Sequence, residues 1–115
     1  MSMRIVFSLT LTLGLISMAH AEPDPRHQSV EALGNLNGVA LSCRYFDQVK
    51  HIKQALIQVL PKRRELGKLF DDQTNTAFRT FVNSGEACPS PAEFSDRVGK
   101  AEQELQRVFA PKQNP

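Results

Sequence analysis

No tryptophan, a single tyrosine and only two cysteines occur in the 115 residues of this chain. The longest apolar run, Ile5 to Ile16, is about 12 residues, well short of the roughly 20 a helix needs to cross a bilayer. A transmembrane anchor is therefore not expected. Charge of one sign is also scarce: 14 Lys and Arg stand against 12 Asp and Glu, a net of +2, which leaves no excess to hold a nucleic-acid backbone. The sequence has no Gly-rich phosphate loop, no C-x-x-C and no C-x-x-C-H, so nucleotide binding, dithiol redox chemistry and haem attachment lack their usual motifs. Beyond residue 21 the histidines are His27 and His51, too few to suggest a His-rich metal centre. No cofactor, metal site or catalytic constellation is expected, because acid-base and nucleophilic chemistry both need polar groups converging in a pocket.

What is present begins with an address. Arg4 precedes the apolar run, and Ser17-Met18-Ala19-His20-Ala21 follows with small residues where a signal peptidase reads. Residues 1–21 are expected to be a cleaved signal peptide, placing the mature protein in the periplasm or outside the cell. In an oxidising compartment the two cysteines, Cys43 and Cys88, are expected to pair. The bond would close a loop of about 45 residues, for which chain entropy gives roughly 4 kcal/mol of stabilisation. That rivals the whole stability of a small domain.

The periodicity is helical throughout. Residues 22–28 contain Pro23 and Pro25 and read as an extended tail. A helical domain, 29–110, follows, and 111–115 forms a C-terminal tail. Ser29 can cap a first helix, or the helix starts nearer Asn37. Leu33, Leu36, Val39, Ala40, Cys43, Phe46, Val49, Ile52, Leu56, Val59 and Leu60 then repeat at three and four up to Pro61. Along another line Gly34, Gly38 and Ser42 recur every fourth residue, baring a strip of backbone where a second helix could pack closely. Equally, the glycines could mark a weak helix start.

A second helix is expected from about Lys62 to Val82, with Leu66, Leu69, Phe70, Gln73, Ala77, Phe78, Phe81 and Val82 on one face and Asn83-Ser84-Gly85 as its stop. The third has the clearest start. Ser90 is the cap, Pro91 the first helical residue and Glu93 the capping-box partner, and Phe94, Val98, Ala101, Leu105, Val108 and Phe109 form its stripe. The fold expected is all-α: a small up-down-up bundle of three helices stapled by one disulfide. In it the second helix folds back antiparallel from Pro61 along the first, returning the chain to the level of Cys43.

Charge is uneven along the chain. Arg44, Lys50, Lys53, Lys62, Arg63, Arg64 and Lys68 outnumber Asp47 and Glu65, whereas residues 71–104 are acidic on balance. The basic turn Lys62-Arg63-Arg64 is the candidate partner-binding element and could touch an acidic protein or an anionic surface. His51 could pair with Asp47 one turn earlier, and Asp71-Asp72 with Asn75 reads as solvated surface rather than a cation loop.

Cys43-Arg44-Tyr45-Phe46 and Phe94-Ser95-Asp96-Arg97-Val98 resemble the Cys-x-x-Phe and Phe-x-Asp-Lys-Val stretches of the HdeA-type periplasmic acid-stress chaperones. That resemblance implies a small exported helical protein that opens when its carboxylates are neutralised and so exposes apolar helix faces. From the residues themselves the expectation is a non-enzymatic binding or accessory protein with a protein partner. The acid-stress chaperone and an inhibitor or immunity protein for a secreted partner are the alternatives.

Overall fold

The computed structural model describes Gly14 and residues 23–111; the rest of the expected signal, 1–21, and residues 112–115 of the expected C-terminal tail lie outside the described residues. Among the described residues the chain forms four helices and no strand: α1 (Pro25–Ser42), α2 (Phe46–Val59), α3 (Arg64–Ser84) and α4 (Pro91–Phe109). The protein is thus all-α, with Cys43 and Cys88 joined in a disulfide. The single long first helix that the apolar spacing predicts is two helices, and the count of three is corrected to four.

The break falls at Cys43-Arg44-Tyr45, where no glycine or proline announces it. Arg44 takes a left-handed conformation, φ 59°, and the Tyr45 N–H reaches back to the Ala40 carbonyl at 2.8 Å. The Arg44 N–H meets Leu41 O at 3.4 Å. This six-to-one and five-to-two pattern is a Schellman stop, with Arg44 in the place usually held by glycine. Three- and four-residue apolar spacing continues across it because both helices turn their apolar faces to one core. Periodicity alone therefore could not see it.

The start of α1 also differs from the expectation. Asp24, not Ser29, is the cap, its side chain accepting from the Arg26 N–H at 2.9 Å, and Pro25 occupies the first turn. The tail expected over 22–28 is therefore helical from Pro25. Ser29 is buried and donates its hydroxyl to the Arg26 carbonyl at 2.9 Å. At the other end of the chain Ser90 accepts from the Glu93 N–H at 3.2 Å, with Pro91 following it. Gly85, φ 68°, ends α3.

α1 is the centre of the molecule. It packs against all three other helices, α2 also packs on α4, and α3 has no close backbone approach to α2 or α4 among the described residues. Gly34 lies against Phe70 and Gln73, and Gly38 lies against Thr74, Ala77 and Phe78. Both series ascend, so α3 runs parallel to α1. This corrects the expected antiparallel hairpin at Pro61: α2 has already reversed the chain, and α3 reverses it again. Arg26 at the start of α1 donates to Val108 O at 3.3 Å and sits 5.6 Å from the Phe109 ring centroid, so α4 runs back along α1. The order is up-down-up-down. α3 carries the chain to the level where α1 ends, which is what leaves Cys88 beside Cys43, with Cα atoms 5.8 Å apart.

The core is Val30, Leu33, Ala40, Val49, Ile52, Leu56, Leu66, Phe70, Phe94, Val98 and Leu105. Phe46, Phe78 and Val82, which the stripes placed inward, are exposed. Tyr45 fixes the corner, its hydroxyl donating to Pro89 O at 2.5 Å and its ring 5.4 Å from that of Phe94.

Three consequences can be measured by denaturant unfolding. A Cβ on Gly38 would meet Thr74 O at 2.6 Å and Ala77 Cβ at 2.7 Å. Gly38→Ala is accordingly expected to cost about 1–3 kcal/mol by overpacking, although alanine is the better helix former. At Gly67, by contrast, a Cβ would have nothing within 4 Å, and the alanine variant is expected to gain up to ~1 kcal/mol. Replacing Cys43 and Cys88 together by serine opens a loop spanning 45 residues and is expected to lower stability by about 4 kcal/mol.

Candidate interaction groove

Because α2 and α3 leave the turn at Pro61 without close backbone approach to one another, a trough opens between them. α2 ends at Val59, the cap residue Leu60 is extended, and Arg63 is extended again before α3 begins. Pro61 cannot donate a helical hydrogen bond, and the Arg63 N–H instead meets Pro61 O at 2.8 Å. The trough has a volume of about 470 Å³, and Leu56, Ile57, Leu60, Pro61 and Phe70 form its apolar lining. Leu56 and Phe70 are anchored in the core, whereas Ile57 stands at the lip with 81% of its surface exposed. An isoleucine in that position is not held there by packing.

The rim is mostly cationic. Lys53, Lys62 and Arg63 line it, and Asp71 is the acid among the lining residues. Of the basic turn expected to bind a partner, Lys62 and Arg63 reach the trough, while Arg64 opens α3 and does not line it. Neither Lys53 nor Lys62 has an ion-pair partner among the described residues; Arg63 has an exposed one, Glu65, at 3.8 Å. Lys68 is engaged by Asp72 at 2.5 Å. The hydrogen bond from Lys68 to Asp72, reinforced by the carboxylate's charge, holds the ammonium above its ordinary value.

The apolar part of this site is not evident from the sequence. Ile57 falls off the buried stripe that contains Ile52 and Leu56, and that irregularity was the available signal. Gly67, at the trough wall, gave none. Gly34 and Gly38 lie away from the trough, in the α1–α3 contact, and Ser42 donates its hydroxyl to Gly38 O at 3.0 Å.

Other chemistry is sparse. His51 pairs with Glu102 of α4, Nε2 to Oε2 3.0 Å, rather than with Asp47, because α2 packs on α4 and presents a nearer carboxylate. Glu102 is largely buried, and its Oε1 has no hydrogen-bond partner. Asn37, buried between α1 and α3, donates to Thr74 Oγ1 at 3.2 Å, with its own carbonyl oxygen unpartnered. Among the described residues no group of three or more His, Cys, Asp or Glu could hold a metal ion, and no helix is long and apolar enough to cross a membrane. Asp71 and Asp72 diverge, the first to the trough rim and the second to Lys68.

Comparison with known proteins brings no relative to this arrangement: no family model, no curated protein and no solved structure matches the chain. The trough must be judged on its own chemistry. Its lip residue allows function to be separated from folding. Ile57→Lys is expected to leave the unfolding free energy within about 0.5 kcal/mol, as exposed substitutions do, while reducing the fluorescence of an apolar dye bound to the folded protein.

Proposed function

We propose that this chain is an exported, non-enzymatic binding protein that acts through protein-protein contacts at the α2–α3 trough. The observation that carries the reading is the trough itself: an apolar lining with an exposed isoleucine at its lip, rimmed by Lys53, Lys62 and Arg63. Apolar patches with polar rims are the usual form of a recognition site. The disulfide supports the export reading, because such bonds persist outside the reducing cytosol. The lack of a polar constellation in the trough favours binding over catalysis.

The acid-stress chaperone is the second reading. Its supporting observation is the His51–Glu102 contact, Nε2 to Oε2 3.0 Å, which joins α2 to α4; losing it would loosen α2, one wall of the trough, and enlarge the apolar surface.

A photo-crosslinking residue at position 57, carried by the disulfide-bonded protein in a periplasmic or culture-fluid extract, separates the two. The expected result is one or a few discrete adducts at neutral pH, absent when the crosslinker sits at Arg79 on α3. Broad, promiscuous adducts that form only at pH 2–3, together with suppression of client aggregation there, would replace the adaptor by the chaperone.

A further inference from the structure

The trough has a shape and a charge pattern that narrow its occupant. We infer that it docks an acidic amphipathic helix of a partner protein; this rests on the trough being the binding surface. Shape comes first. The α2 wall from Lys53 to Leu60 is about 10 Å long at 1.5 Å per residue, two turns of helix, and the α3 wall from Arg63 to Asp71 is of similar length. Two helices that leave a common turn without close backbone approach leave space along their outer seam for a third helix, and helix-in-groove recognition reads anchors at three- and four-residue spacing. A free acyl chain fits less well. Small-ligand sites enclose most of their ligand, whereas this trough is open along its length and carries Ile57 on its lip rather than in a wall.

Gly67 adds an independent element. It lies on the exposed surface of α3 at the trough, and nothing stands within 4 Å of where its Cβ would be. No contact within this chain requires a glycine there, as none does at Gly99 of α4, in contrast to Gly34 and Gly38, which face α3; Gly67 is the one of the two that lines the trough. A bare backbone at that point lets an incoming helix approach closely, as small residues do at helix-helix contacts generally.

Charge gives the sign and the direction. Lys53, Lys62 and Arg63 surround apolar surface, and two of them lack an acid partner among the described residues. Carboxylates flanking the partner's apolar stripe supply the missing charge. Lys62 and Arg63 sit at the turn, whereas at the far end Asp71 of α3 offsets Lys53 of α2. The positive charge is thus concentrated at the turn, and a docked helix runs with its C-terminal, partially negative end toward Lys62 and Arg63.

The test uses the disulfide-bonded protein and fluorescently labelled helical peptides of about 14 residues, with leucines at i, i+4 and i+7. One is flanked by glutamates, one is the same sequence with lysines for glutamates, and one carries the glutamates without the leucines. Fluorescence anisotropy is expected to show saturable binding of the glutamate-leucine peptide alone, weakened about tenfold by Lys53→Glu with Lys62→Glu and weakened further by added salt. Gly67→Leu is expected to abolish binding without lowering the melting temperature. If Gly67→Leu does not fold, Gly67→Ala, which adds only a methyl group to open space, takes its place, with weakened binding expected.

Equal binding of the lysine-leucine peptide would overturn the inference, as would binding indifferent to Gly67. A Gly67-sensitive self-association in light scattering, or Gly67-sensitive binding of dodecanoate or anionic phospholipid vesicles in place of the peptide, would overturn it too. These failures differ from failure of the function proposed above. Discrete adducts from position 57 without peptide binding would leave the trough as the interface and remove the acidic helix; absence of adducts would remove the trough.

Discussion

The contact between α1 and α3 is made of absence: Gly34 and Gly38 have no side chains, and the backbone of α3 occupies the room this leaves. A Cβ at Gly38 would fall 2.7 Å from the Phe78 nitrogen, so the fit does not tolerate one without movement. Among the described residues α3 makes its close backbone approach to α1 alone. Its position therefore depends on that strip, on Leu66 and Phe70 entering the core, and on the disulfide just beyond its C-terminal end. Close packing of helices usually follows from interdigitating side chains; here dispersion between two backbones replaces part of that. Asn37, which donates to Thr74 across the same interface, adds a directional constraint on register, at the cost of a buried carbonyl oxygen without a partner.

The trough is a consequence of this one-sided attachment. α1 draws α3 toward one flank while α2 and α4 pack together on the other, the pair joined further by His51 and Glu102. The turn at Pro61 links the two groups but cannot close the gap between them. Apolar side chains at the bottom, Leu56 and Phe70, belong to the core; those at the top, Ile57 above all, belong to no core in this chain. A binding surface of this kind needs no residue of unusual reactivity, so sequence motifs do not mark it.

Much of the helical content was legible because its determinants are local. Ser90-Pro91 with Glu93 specifies a helix start by the hydrogen bonds those residues can make, and the Gly85 stop follows from its freedom at positive φ. The Arg44 stop was not legible, since arginine carries no preference for the left-handed region and is held there by the packing of the two helices it joins. The parallel course of α3 was hidden for the same cause: with one reversal unseen, the apolar pattern implies the opposite direction for α3. His51 illustrates the matter on the scale of one side chain. Sequence spacing offered Asp47, but the bundle placed Glu102 3.0 Å away.

From the chain itself came the all-helical class, the two cysteines suited to pairing, and the basic stretch around Lys62 and Arg63, because capping chemistry, periodicity and charge are carried by neighbouring residues. Tertiary packing alone decided that the first apolar segment folds as two helices, that α3 docks by its backbone on α1, and that Lys53, Ile57, Gly67 and Phe70 come to share one trough. Those residues are brought together by the divergence of α2 and α3, a property of the whole arrangement that no stretch of sequence contains.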